Sequence, residues 1–301
     1  MSDTKFTDVR GVLDCDPSIS EGTARLGGEG WNKPESEKMK NLTVFYRISD
    51  KGNVKNRLLL VNNRNCLESF LKEFPAAMIE MIADNVNEET WRWLGSYRFK
   101  KLHKTSLGNS GSFWYCYQLA AQLPINESVY FVENDYIHLP NSKRVLMEGL
   151  AMGDYVTLYD HPDKYVDGFN PAVKNGGEKS KVLLSKSTHW KVTNSTTMTF
   201  ASNVSCLRKD QLFFKYYSVG ILKKGLPLLR RFQGSSCPDD YRIFNTLRIL
   251  KRRVLISPIP GYSTHGEKQF LTPFGEWEDY IEQSGAGVHS ENQSYFASGT
   301  P

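Results

Sequence analysis

Apolar residues in this chain fall into short runs that switch between two periods. Residues 1–41 carry no such run and are rich in Gly, Ser, Asp and Glu, which predicts an irregular lead-in. From Leu42 the pattern changes: Leu42-Thr43-Val44-Phe45-Tyr46-Arg47 reads as a strand, and Leu67, Phe70, Leu71 and Phe74 follow at helical spacing, closed by Pro75. Met78 to Ala83 is a second strand-like run that reaches Asp84. Trp91 to Leu102 reads as helix then strand, and Leu107 to Ser112 as a small-residue turn. Phe113 to Ala120 reads as a helix buried on more than one side, and Val129-Tyr130-Phe131-Val132 as a strand that runs straight into Glu133-Asn134-Asp135. Such alternation predicts an α/β fold with a mostly parallel central sheet and helices on both faces. Ligands on such sheets collect at the carboxyl ends of the strands.

The second half is less regular and predicts a smaller, mixed subregion. Asp154 to Tyr159 reads as a strand, Asp160-His161-Pro162-Asp163 turns out of it, and Lys174 to Lys181 is a Gly/Lys loop. Val182 to Leu184 and the Thr/Ser-rich stretch from Trp190 to Asn203 suit antiparallel strands, whereas Leu207 to Gly225 and Asp239 to Arg252 read as helices. The expected organisation is a nucleotide-binding half over 42–140, an acceptor and catalytic half of the same domain over 141–282, and a flexible tail over 283–301.

Composition narrows the class. At 301 residues, 40% hydrophobic and 24% charged, the chain can bury a substantial core. No apolar run approaches the ~20 residues of a membrane span. The polar start is not a secretory signal, so a soluble, cytoplasmic protein is expected. Five dispersed cysteines lack the C-x-x-C spacing of a zinc or redox site and read as reduced structural thiols. The net charge of +5 is concentrated in Lys223-Lys224, Arg230-Arg231 and Arg248 to Arg253. These clusters would attract phosphates, an acidic glycan or an anionic membrane surface, so peripheral membrane contact is one expectation and a solvated helix face the other. No aromatic-rich motif accompanies the charge, so no nucleic-acid partner is expected. The sequence is silent on oligomeric state.

Two acids spaced two apart at the end of a buried strand place hard oxygen donors at one sheet edge, where Mg²⁺ or Mn²⁺ would bridge a diphosphate. The segment Phe131-Val132-Glu133-Asn134-Asp135-Tyr136 resembles the D-x-D segment of glycosyltransferases with the GT-A (Rossmann-like) fold, in its E-x-D form. Four further segments match that family's pattern in order: Ile82 to Asn85, Ser106 to Ser112, Cys237-Pro238-Asp239-Asp240-Tyr241 and Pro260 to Glu267. The resemblance covers roughly residues 42 to 280.

It implies particular roles. Asp135 would be the main metal ligand, Glu133 would bind the metal through water or the ribose, and His265 would complete the shell, unless it only caps a turn. Tyr46, Arg47 and Asp84 would lie beside the base. Gly108, Asn109 and Ser110 would approach the ribose and phosphate, where small residues let backbone come close, and Asn134 would lie at the cofactor. The acidic pair would supply the general base of an inverting transfer, with Asp240 favoured over Asp239, although both acids also suit helix capping. Thr188-His189-Trp190 and Thr196 to Thr199 would line a sugar. The implied partners are a UDP-linked sugar donor, UDP-xylose among the candidates, and a glycan acceptor, as in small soluble enzymes that decorate surface glycans of bacteria and large algal viruses. The first acid is Glu and the centre Asn, which departs from the family's usual pair. Two other readings stand beside it: a sugar nucleotidyltransferase, and a non-catalytic glycan- or phosphate-binding module.

Overall fold

The computed structural model describes residues 41–51, 56–168, 173, 175, 177–219, 238–273 and 275–283. The lead-in over 1–40, the Lys223-Lys224 and Arg230-Arg231 clusters and the tail from 284 lie outside the described residues. In chain order the elements are β1 (Leu42–Ile48), α1 (Asn63–Leu71), β2 (Ile79–Asp84), α2 (Glu88–Leu94), β3 (Lys101–Thr105), α3 (Gly108–Ala120), β4 (Ser128–Glu133) and β5 (Tyr136–His138). There follow α4 (Ser142–Leu150), β6 (Tyr155–Val156), β7 (Val182–Leu184), β8 (His189–Thr193), β9 (Phe200–Asn203), α5 (Val204–Val219), α6 (Asp240–Lys251), β10 (Leu255–Ile259), β11 (Ser263–His265) and α7 (Trp277–Gln283).

Nine strands form one sheet in the order β3-β2-β1-β4-β9-β6-β10-β8-β7. Strands β1 to β4 are mutually parallel, β9 runs antiparallel between β4 and β6, and β10 is parallel to β6. The two-residue β6 is shorter than the predicted Asp154–Tyr159 run, because from Leu158 the backbone turns away to bond Tyr262 and Ser263. The fold is thus the expected α/β architecture, with a mostly parallel half and a mixed half sharing one sheet.

Two-residue alternation decides which side chains meet which helices. On one face Val44, Tyr46 and Ile48 of β1 and Tyr130 and Val132 of β4 pack with Leu67 and Phe70 of α1, with Phe74 just beyond it, and with Val145, Leu146 and Leu150 of α4. On the other, Phe45, Val129 and Phe131 pack with Phe113, Cys116 and Tyr117 of α3, Phe214 of α5 and Phe244 of α6. Phe131 lies 5.7 Å from Phe113 and 5.2 Å from Phe200, ring centre to ring centre, and such pairs add about 0.5–1.5 kcal/mol each beyond area burial. Helix α3 buries a single stripe, Ser112, Phe113, Cys116, Tyr117 and Ala120, and leaves Trp114 and Tyr115 half-buried. It is therefore less enclosed than its apolar sequence predicts.

A second, two-stranded sheet pairs β5 with β11, with His265 opposite Tyr136 and Ser263 opposite His138. This hairpin-like pairing carries the end of β11 back to the acids that follow β4. A small core of Leu58, Val61, Cys66, Ile137, Trp277 and Ile281 supports it from below.

His138 is fully buried, with Nε2 2.8 Å from Tyr130 Oη, and burial pushes its imidazole down to about 3. Between that value and the ordinary ~6.5 the unfolded chain binds a proton that the folded chain refuses. Stability contributed by neutral His138 is therefore present above the upper value and falls as pH drops through the window, by up to about 1.4 kcal/mol per pH unit. Urea denaturation across pH 3.5–6.5 should show that slope, and His138→Gln, which can still pair with Tyr130, should remove it.

Packing at Gly149 is equally restrictive. A Cβ there would lie 2.6 Å from Trp190 Cη2 and 2.7 Å from Val156 Cγ1. Gly149→Ala should cost about 1–3 kcal/mol by overpacking, read as a lowered urea midpoint with unchanged m.

Candidate active site

A cleft of about 600 Å³ opens at the carboxyl ends of β1, β2 and β4. Arg47, Asp84, Gly108, Asn109, Glu133, Asn134, Asp135 and Asp240 all line it. Eight positions expected from sequence, drawn from five segments, thus share one cleft.

Arg47, on the α3 face of β1, organises its floor. Its Nη1 donates to Asn109 O at 2.9 Å, Asn109 Oδ1 at 2.9 Å and Ser112 Oγ at 3.2 Å, while Nη2 is ion-paired with Glu133 Oε1. One guanidinium thereby ties β1, β4 and α3 together. Its neighbour Tyr46 points the other way, because consecutive residues of a strand face opposite sides. Tyr46 is fully buried, 5.2 Å from the Phe70 ring, and does not line the cleft, which corrects its expected place beside the base. Burial holds its phenol well above the usual range, so it stays neutral.

Asp84 ends β2 and is almost fully buried. Its Oδ1 accepts from Thr105 Oγ1 at 2.8 Å and Leu107 N at 2.6 Å, and its Oδ2 from Gly108 N at 3.0 Å and Asn85 Nδ2 at 2.8 Å. Helix α3 has no cap from its own Leu107, so Asp84 caps it from another strand. This carboxylate converts part of the expected Leu107–Ser112 turn into helix. Gly108 has φ of 71°, where a side chain would be strained, and lies at the cleft. Ser110, in the first turn of α3, does not line the cleft.

The three residues of Glu133-Asn134-Asp135 diverge. Glu133 pairs with Arg47, and Asn134 Nδ2 donates to Ser49 O at 3.4 Å and to Asn63 Oδ1, holding the loop after β1. Asp135 Oδ2 lies 3.2 Å from His265 Nε2 and 3.1 Å from Arg57 Nη2. Two of the three expected metal ligands therefore converge, and Glu133 is drawn away from them by the guanidinium of Arg47. Among the described residues no group of three His, Cys, Asp or Glu side chains is gathered for a metal. The Asp135 carboxylate and His265 imidazole do form a buried oxygen–nitrogen pair, a donor set that suits Mn²⁺ better than Mg²⁺.

Backbone bonds hold those three segments in place. Gly266 N donates to Asp135 O at 2.8 Å, and Leu58 N donates to Gly266 O at 3.0 Å. A Cβ at Gly266 would come 2.4 Å from Val61 Cγ1, so only glycine allows this approach.

Asp240 and Asp239 separate clearly. Asp239 caps α6, accepting from Arg242 N at 3.0 Å, and pairs with Arg242 Nε at 3.2 Å, outside the cleft. Asp240 lines the cleft, and its Oδ2 accepts from Thr196 N and Thr197 N, each at 2.7 Å, and from Ser195 Oγ at 3.2 Å. Thr197 and Met198, which also line it, have φ of 46° and 61°, the left-handed region that β-branched Thr avoids. Asp240 holds that strained turn with one oxygen and presents the carboxylate at the cleft wall.

One expected sugar contact, Trp190, lies elsewhere. Trp190 is fully buried on Gly149 and Val156, since its place on β8 faces the helix-covered side of the sheet. The Asp160-His161-Pro162-Asp163 turn is paired within itself, His161 Nδ1 with Asp163 Oδ1 at 2.9 Å, and to β8, Asp160 Oδ1 with Lys191 Nζ at 2.6 Å, and does not line the cleft. Thr197 and Met198, from the expected Thr196–Thr199 sugar contact, do line the cleft, and residues that sequence reasoning missed are Ser49, Lys51, Arg57, and Thr197 as a strained residue. Arg57 sits in an unpatterned loop, and positive φ at Thr197 has no signature in composition.

No family model and no curated protein sequence matches this chain. Among solved structures it is similar to the 2-C-methyl-D-erythritol 4-phosphate cytidylyltransferase of Francisella tularensis, at 12% identity and TM-score 0.42 over 82% of this chain and 99% of that one. It is also similar to the galactosyltransferase LgtC in complex with donor and acceptor sugar analogs, at 10% identity and TM-score 0.40 over 68% of this chain and 70% of the other. A third is a CMP:2-keto-3-deoxy-manno-octonic acid synthetase complexed with CTP, at 10% identity and TM-score 0.41 over 74% and 92%. A glycosyltransferase and nucleotidyl-transferring enzymes are thus both among the similar folds.

The Arg47–Glu133 pair makes a stability prediction. Arg47→Met should cost about 2–4 kcal/mol, because it leaves a part-buried carboxylate without its guanidinium. Adding Glu133→Gln should recover part of the loss, and a double-mutant cycle in urea measures how much.

Proposed function

We propose that this chain is a metal-dependent glycosyltransferase that moves a sugar from a nucleotide-sugar donor, UDP-linked, to a hydroxyl of a glycan with inversion. The observation that carries the proposal is the presence of Asp240 in the same 600 Å³ cleft as Asp135. Transfer to a hydroxyl needs a carboxylate to take its proton and positive charge to stabilise the departing diphosphate. The cleft has both kinds of group. The nucleotide would lie over the carboxyl ends of β1 and β2, against Gly108 and Asn109, where exposed backbone permits close approach.

The residue roles follow from the contacts. Asp135 and His265 would hold a divalent ion, whose chemistry is to neutralise the leaving diphosphate. Arg47 fixes Glu133 and Asn109 at the floor of the cleft. Asp240 would accept the acceptor proton, with Oδ2 anchored on Thr196 and Thr197 and the carboxylate thereby kept in one orientation. Among the described residues no helix is long and apolar enough to cross a membrane. The 42–140 segment would then serve the nucleotide and 141–282 the acceptor.

The expected outcome is a rise in melting temperature with UDP in the presence of Mn²⁺, smaller with GDP or CMP, and lost in Asp135→Ala. Asp240→Asn keeps an oxygen for the Thr196 and Thr197 amides and should leave UDP affinity unchanged while lowering turnover at least about 100-fold. Full transfer by Asp240→Asn would place the base elsewhere, and the absence of any nucleotide-induced shift would favour a binding module.

A further inference from the structure

Arg57 is a cleft residue whose position sequence did not suggest. Its backbone is fixed: it forms an antiparallel bridge with Glu267, and its neighbour Leu58 bonds Gly266. Only the side chain is left to move. The guanidinium donates from Nη2 to Asp135 Oδ2 at 3.1 Å, and its buried Nε finds no acceptor among the described residues. A buried donor without an acceptor is a cost that a second oxygen ligand would relieve. Arg57 faces the same cleft as Asp84, Asn109 and Asp240.

The oxygen that Arg57 holds is the one within 3.2 Å of His265 Nε2. A divalent ion shared by Asp135 and His265 would bring two positive charges against the guanidinium, and Arg cannot lose its proton to escape the repulsion. Cation and Arg57 therefore exclude each other at Asp135. A diphosphate offers the displaced side chain a better partner, because its paired oxygens match the planar fork of Arg donors, including Nε.

We propose that Arg57 is a placeholder cation: it neutralises Asp135 in the nucleotide-free protein and passes to the diphosphate when nucleotide and metal enter, which makes metal binding conditional on the nucleotide. The inference rests on the glycosyltransferase reading for the identity of the diphosphate and on this chain's own contacts for the exclusion. Linkage requires the effect to be mutual, UDP raising Mn²⁺ affinity by the factor that Mn²⁺ raises UDP affinity.

The test is titration of Mn²⁺ into the full chain, followed by the electron paramagnetic resonance signal of the free ion, with and without UDP. Wild type should bind Mn²⁺ weakly alone. Arg57→Ala should bind it at least about tenfold more tightly without nucleotide, and should bind UDP more weakly in the absence of metal. Arg57→Lys keeps the charge and should stay near wild type in nucleotide-free Mn²⁺ affinity, which also covers the case in which the alanine variant does not fold. Mn²⁺ affinity in Arg57→Ala equal to or below that of wild type, including no binding in either, would overturn the proposal, as would a lysine variant that binds the nucleotide-free ion as tightly as alanine is expected to. The UDP titration separates the two readings: wild type that never binds UDP defeats the glycosyltransferase assignment, whereas the nucleotide-free Mn²⁺ comparison judges Arg57 in either case.

Discussion

The site depends on one buried arginine. Arg47 closes β1 on the α3 side, and its single guanidinium reaches the last residue of β4 and the first turn of α3 at once. Desolvating a guanidinium is costly unless its donors are met and an opposite charge is close, and Arg47 meets Asn109 and Ser112 through Nη1 and the Glu133 carboxylate through Nη2. The arrangement ties Glu133 Oε1 to the floor of the cleft. It also explains how Asn109 is fixed although α3 begins with glycine and has no cap of its own.

Around that floor, each negative group is balanced by a different device. Asp84 spends its charge on the helix start, Asp240 on two backbone amides of a strained turn, and Asp135 on Arg57 and His265. These devices differ in what a ligand can displace. A carboxylate that holds backbone amides cannot be withdrawn without unravelling a helix or a turn, so Asp84 and Asp240 are fixed in place. Asp135 is held by side chains that can rotate away, so it is the acid whose partners can change on binding.

Much of this was legible in sequence because it rests on local pattern. The apolar run of β4 ending in Glu133-Asn134-Asp135, the alternation of strands and helices and the acids before α6 all depend on neighbours in the chain. The missed features depend on register or distance. Tyr46 and Arg47 are adjacent, and the assignment of both to one pocket overlooked that a strand sends them to opposite faces; Trp190 was misplaced for the same reason. Arg57 and Asp135 are 78 residues apart and meet only because β5 pairs with β11 and Gly266 admits Val61. The long-range pair that brings His265 to Asp135 is of that kind, but its order along the chain matched a known pattern.

The hairpin-like β5–β11 pairing therefore has a chemical consequence beyond packing. Register sets His265 opposite Tyr136, the residue after Asp135, and a one-residue slip would turn the imidazole to the other face of that small sheet. The same register places Gly266 N on Asp135 O and Gly266 O on Leu58 N, so the imidazole, the carboxylate and the guanidinium of Arg57 are positioned by one set of backbone bonds. Errors in any of the three would be shared by the others, which keeps their backbone spacing constant even if the segment shifts as a whole. For a site in which a carboxylate must trade one cation for another, constant spacing matters more than absolute position, because the competition is decided over about 3 Å of Coulombic distance.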